Sequence, residues 1–138
     1  MFENVVVGAT DTEGGERAFV RALELTRATG GTVHVVCAMT KHQSEQPPWV
    51  PEEFRYTDIG AGRTEWLLGQ LKRRGADANV RLAAHSVWAK PAEAIVRVAA
   101  EEHADLVVVG SGSSRGARRL SPVPKAVLDS ASCAVLVV

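Results

Sequence analysis

A chain of 138 residues, 46% of them apolar, can bury one sizeable core and matches the usual size of one domain, so a single domain over 1–138 is expected. Sixteen Lys and Arg offset sixteen Asp and Glu, which excludes both a global positive field for nucleic acid and the acidic excess of a disordered chain. No apolar stretch approaches membrane-spanning length and no signal-like segment opens the chain, so a cytoplasmic protein without a membrane or nucleic-acid partner is expected.

Residues 4–9, Asn4-Val5-Val6-Val7-Gly8-Ala9, form a short β-branched run without alternation, the pattern of a parallel strand covered on both faces. Thr10, Asp11 and Thr12 then offer N-cap oxygens, and Thr10-x-x-Glu13 fits a capping box. Ala18, Ala22 and Leu25 recur at helical spacing as far as Gly30-Gly31. A second strand over 32–38 completes a parallel strand-helix-strand unit.

The segment 41–60 holds three prolines and little periodicity, so it reads as a long surface loop of the kind that covers sites, carrying Trp49, Phe54 and Tyr56. A helix is expected over 61–74, a third strand over 80–88, a helix from Pro91 to about 103, a fourth strand over 105–110, a last helix ending near 130 and a fifth strand over 134–138. Trp66, Leu67 and Leu71, and Ile95, Val98 and Ala99, lie at helix-face spacing and are read as core. The alternation of strands and helices calls for a three-layer α/β/α domain with a doubly wound, five-stranded parallel sheet.

Ligands of such sheets bind beyond the carboxyl ends of the strands, where strand order reverses. Three segments bring polar groups there: Ala9-Thr10-Asp11, Ala38-Met39-Thr40, and the stretch from Gly110 onward. The last is no P-loop, since no Gly-Lys-Ser/Thr follows, and no dinucleotide fingerprint, since Arg115 stands where Gly or Ala belongs. Cys37 and Cys133 lie in or beside apolar runs without metal-ligand spacing and read as small buried thiols. No spacing among His34, His42, His85 and His103 makes a metal site, and no nucleophile-base or carboxylate pair stands out.

The chain resembles the universal stress proteins over essentially its whole length. The resemblance is carried by Val5-Val6-Val7-Gly8, Gly30-Gly31-Thr32-Val33-His34-Val35-Val36, Pro91-Ala92-Glu93-Ala94-Ile95-Val96, Ala104-Asp105-Leu106-Val107-Val108-Val109-Gly110-Ser111, Lys125-Ala126-Val127-Leu128 and Val135-Leu136-Val137-Val138. It implies an adenine nucleotide alpha hydrolase-like fold, a stress-response role without catalysis, an unidentified protein partner and a homodimer joined along the C-terminal strand. It also implies an ATP crevice lined by Ala9, Thr10, Asp11, Ala38, Val109, Gly110, Gly112, Ser113, Arg115, Ser121 and Val123. The adenosine-contacting Asp of relatives corresponds to Asp11 if the turn is one residue shorter, and otherwise Thr10 takes its place; both residues also read as helix caps.

The nucleotide-binding branch of that family places a second glycine three residues after the first, then a spacer, then Gly-Ser/Thr ahead of the last helix. Here Gly110 matches the first glycine, Ser113 replaces the second, the spacer is shorter, and Ser121-Pro122-Val123-Pro124 stands in place of Gly-Ser-Val-Ser/Thr. Proline carries no N–H, and Pro124 is expected to delay the helix start by a residue or two. Two lost charge-assisted bonds of roughly 1.5–3 kcal/mol each weaken phosphate binding on the order of a hundredfold or more, so weak or absent ATP binding is expected. The competing readings are a working ATP switch or slow ATPase in which Arg115, Arg118 and Arg119 hold the phosphates, and a crevice for another small ligand roofed by 41–60.

Overall fold

The computed structural model describes residues 2–9, 12–39, 59–111 and 122–138. Five strands, β1 (Asn4–Gly8), β2 (Thr32–Met39), β3 (Arg81–Trp88), β4 (Leu106–Val109) and β5 (Ala134–Val137), alternate with four helices, α1 (Glu13–Thr29), α2 (Ile59–Asp77), α3 (Pro91–Glu101) and α4 (Pro122–Ser130). All strand pairs are parallel in the order β3-β2-β1-β4-β5, so the winding reverses between β1 and β4. This is the expected doubly wound α/β sheet.

The unbroken apolar runs follow from burial on both faces. Val5, Val7, Val33, Val35, Leu106 and Val108 pack with Ala18, Phe19 and Ala22 of α1 and Leu68 and Leu71 of α2. Val6, Val36, Val107 and Val109 point the other way, onto Ala94, Ile95, Val98 and Ala99 of α3 and Val127 of α4. Each fully buried valine contributes roughly 1.5–3 kcal/mol, so polar residues in either phase of these strands would be costly. Asp105 locks β4 to β1: its carboxylate accepts from the Glu3 and Asn4 amides at 2.8 and 3.2 Å.

Helix α1 is capped by Thr12, whose Oγ1 accepts from the Gly15 amide at 3.1 Å. This corrects the expected Thr10-x-x-Glu13 capping box: the N-cap is Thr12, Glu13 is already the first helical residue, and the capped orphan amide is that of Gly15. The helix stops at Gly30, whose φ of 75° is left-handed and whose N–H closes on the Thr26 carbonyl at 2.8 Å.

Helix α2 begins at Ile59, inside the segment read as loop, and runs to Asp77. Trp66, expected in the core, is 63% exposed. The inward stripe of α2 is Leu68, Leu71 and Gly75, and Trp66 lies two residues ahead of Leu68, about 200° round the helix. Helix α3 is shorter than expected; it ends at Glu101, and His103 takes a left-handed φ of 52° as the chain turns into β4. No helix among the described residues is long and apolar enough to cross a membrane.

Candidate functional site

The reversal of strand order places the carboxyl ends of β1 and β4 side by side, with the register running Val5↔Leu106, Val6↔Val107 and Val7↔Val108. Ala9 leaves β1 with its amide donating to the Val36 carbonyl at 2.7 Å, which ties that tip to β2, where Ala38 lies two residues further along. Val109 is buried, and its carbonyl accepts from the Val138 amide at 2.9 Å; Ser111 N–H in turn donates to the Val138 carbonyl at 2.8 Å. Ala9, Ala38, Val109 and Gly110 are therefore brought together at one end of the sheet.

Gly110 is required by contact. A Cβ there would lie 2.5 Å from the Gly14 carbonyl oxygen and 2.7 Å from its carbon, so the tip of β4 and the first turn of α1 touch backbone to backbone. A residue with a side chain would push the two walls of the crevice apart.

Of the helices that start at the carboxyl end of this parallel sheet, α1 and α4 follow β1 and β4, the two strands that flank the reversal. The first turn of α1 contains Glu13 and Glu16, whose charges offset its positive pole, whereas the first turn of α4 contains no acidic residue. Helix α4 is thus the pole suited to an anion. It starts at Pro122, which corrects the expectation of a later start. The first amides of a helix have no intrahelical carbonyl partner, so Pro122 and Pro124 forfeit no helical bond, and their fixed φ suits the opening turn. The cost falls on recognition instead. Of the first three helical positions only Val123 carries an N–H. The Pro124 ring is buried and Val123 packs against the core of the α3/α4 face, so this start is built into the sheet packing.

Thr10, Asp11, Gly112, Ser113, Arg115 and Ser121 lie outside the described residues, as do Arg118, Arg119 and the segment carrying Trp49, Phe54 and Tyr56. Of the expected lining, Ala9, Ala38, Val109, Gly110 and Val123 are described, and none has a titratable side chain.

A polar cluster that sequence reasoning missed lies on the face covered by α3. Val36 of β2 pairs with His85 of β3, so His34 and His85 sit diagonally on the same side of the sheet. His34, 5% exposed, has Nδ1 3.0 Å from His85 Nε2 and Nε2 3.0 Å from Asn4 Oδ1. The rings stack obliquely at 5.2 Å and 37°. Glu102, at the end of α3, completes the group; ligand-type atoms of His34, His85 and Glu102 all lie within 4.8 Å of one another. Burial, then the neighbouring His85, push the His34 pKa below that of an ordinary imidazole, while Glu102 pulls the other way. The expectation that the histidines make no such grouping fails because it rested on chain spacing, and strand register brings together residues far apart in sequence. Strand parity was the available signal: His34 and Val36 share a face. Cys37 is buried on the opposite face, its thiol 3.7 Å from Thr64 Oγ1.

The model of the Universal stress protein family matches residues 1–138. Universal stress protein Rv1636 of Mycobacterium tuberculosis is 27% identical over 140 residues, covering 99% of this chain and 96% of its own. A crystal structure of a universal stress protein in complex with cAMP is 26% identical with a TM-score of 0.73, over 99% of this chain and 96% of that one. The universal stress protein from Archaeoglobus fulgidus in complex with dAMP, 20% identical, superposes with a TM-score of 0.74 over 99% of this chain and 98% of its own, a likeness of fold. With the sheet order and a family match along its full length, this chain belongs to the universal stress protein family.

Proposed function

We propose that this chain is a cytoplasmic, single-domain, non-enzymatic stress-response protein that works through a protein partner. Its adenine-nucleotide crevice would retain the strand-end walls but grip phosphate weakly. The observation that carries this reading is the start of α4, where prolines occupy two of the first three helical positions and remove two N–H donors from the pole facing the crevice. A similar protein has been solved in complex with cAMP, which supports an adenine nucleotide as the class of ligand.

The sheet order leaves one side of β5 unpaired among the described residues, with Val135, Leu136 and Val137 half-buried along it. A short apolar edge of this kind suits pairing with the same strand of a second copy, and we place the homodimer interface there. Sedimentation showing a strict monomer at micromolar concentration would remove that part of the proposal.

Calorimetric titration with ATP and magnesium, alongside an assay for phosphate release, tests the whole. Weak or undetectable heats with no release are expected. A dissociation constant of about 1 μM, corresponding to about 8 kcal/mol, would instead point to a phosphate grip rebuilt by Arg115, Arg118 and Arg119.

A further inference from the structure

We propose that His34, His85 and Glu102 form a three-ligand site for a zinc-class divalent cation, joining β2, edge strand β3 and the end of α3, with the fourth position left to water. Two imidazoles and one carboxylate with an open position is a donor set that zinc and its borderline neighbours accept. The three ligand atoms already converge, within 4.8 Å of one another.

The tautomers favour coordination. The Asn4 side-chain oxygen can only accept, so the 3.0 Å contact assigns the proton of neutral His34 to Nε2 and leaves a lone pair on Nδ1. That lone pair faces His85 Nε2 at 3.0 Å. Without a cation, His85 Nε2–H donates to it, and no buried side-chain polar atom among the described residues lacks a partner. If the His85 proton moves to Nδ1, two lone pairs meet across the gap and no proton need leave the ring pair. Two nitrogens bound tetrahedrally at about 2.0–2.1 Å from zinc stand about 3.3 Å apart, so the rings separate by a few tenths of an ångström and tilt to aim both lone pairs at a point off the line between them, while the Glu102 carboxylate closes in from within 4.8 Å. Asn4 then acts as the outer partner that fixes the His34 ring, the usual companion of a ligating histidine.

The surroundings suit a partly wet, singly compensated cation. His34 is buried, while His85 and Glu102 are half-buried. The Glu102 carboxylate offsets one of the two charges. The cluster lies on the sheet face under α3, separate from the strand-end crevice, and its occupancy does not depend on the nucleotide reading. Cys37, the other soft donor of β2, faces the opposite side and is not part of it.

The test uses the untagged full chain after exhaustive treatment with a chelator. It is titrated with Zn²⁺ by calorimetry and with Co²⁺ by visible absorption. One saturable equivalent is expected, with ligand-field bands of a four- or five-coordinate nitrogen and oxygen site and no thiolate charge-transfer band. His85→Gln and Glu102→Gln keep polar side chains of similar size; each should weaken the affinity by more than the roughly 10–100-fold typical of losing an outer-shell partner, and Asn4→Ala should fall within that range. His103→Gln, at an exposed position outside the cluster, should bind like the parent. Urea midpoints of all variants in chelator establish that each is folded. Absence of a saturable equivalent, a thiolate band, or undiminished binding by both His85→Gln and Glu102→Gln would each overturn the proposal and leave the pair as a structural hydrogen bond.

Discussion

Replacing Gly110 by alanine tests how the crevice is shaped. The added methyl carbon would lie 2.5, 2.7 and 3.0 Å from the carbonyl oxygen, carbonyl carbon and Cα of Gly14, all backbone atoms of the first turn of α1. A rotamer change cannot relieve these contacts; the helix start or the strand tip has to withdraw by about half an ångström or more, against a close-packed core. Gly110 is not among the residues with positive φ, so the penalty is steric rather than conformational. Overpacking of this kind costs about 1–3 kcal/mol. For a chain of this size that corresponds to a fall of very roughly 3–10 °C in melting temperature. The assay is urea unfolding, reading the midpoint at constant m-value. Gly69→Ala serves as control: Gly69 is exposed in the middle of α2 with nothing within 4 Å of the added carbon, so alanine there should stabilise by up to about 1 kcal/mol. Opposite signs at the two glycines are expected. A Gly110→Ala midpoint equal to or above that of the parent would refute the idea that backbone contact sets the spacing of β4 and α1.

Two further changes bear on the site and on stability. The double substitution Pro122→Ser and Pro124→Ser returns two N–H donors to α4 and should tighten ATP binding by up to about a hundredfold, read by calorimetry against adenosine as a ligand without phosphate. Because Pro124 is buried, the same change should lower the unfolding midpoint, and that loss is measured separately. The pair Glu16–Arg74 joins α1 to α2, with Arg74 Nη1 donating to Glu16 Oε2 at 2.7 Å and the guanidinium lying 4.8 Å from the Phe19 ring centre. The hydrogen bond from Arg74 lowers the Glu16 pKa, so its stabilisation is present above the unfolded carboxylate value and disappears as pH falls through the lower folded value. Both side chains are more than a third exposed, so Glu16→Gln should cost less than about 1 kcal/mol at pH 7. The midpoints of parent and variant should converge in acid; a gap that persists at low pH would show that packing rather than charge sets the cost.

The sheet was legible because its strands are buried on both faces: runs such as Val5-Val6-Val7 and Leu106-Val107-Val108-Val109 carry no alternation, and the helices between them leave parallel pairing as the consistent arrangement. The ends of α2 were less legible, since Ile59 and Gly60 follow a proline-bearing segment that masks the helical period. Trp66 was misplaced because apolar character alone does not fix a helical phase, and Leu68 and Leu71 set it. At the site, the loss of donors from Pro122 and Pro124 could be read directly from residue identity. The consequence for helix α4 could not, because the bias of proline against a preceding helical residue yields where the opening turn needs no N–H and the ring is buried. The meeting of His34 with His85 depends on the register Val36↔His85, which no local pattern encodes.

The weak grip on phosphate at the mouth of α4 is tested most directly by comparing adenosine, AMP and ATP on the unmodified protein in one calorimetric series with magnesium. With only Val123 donating among the first three helical positions, the three dissociation constants should fall within about one order of magnitude, a spread of about 1.4 kcal/mol. ATP binding a hundredfold or more tighter than adenosine would contradict the reading and show that the phosphates are held by groups other than the helix amides.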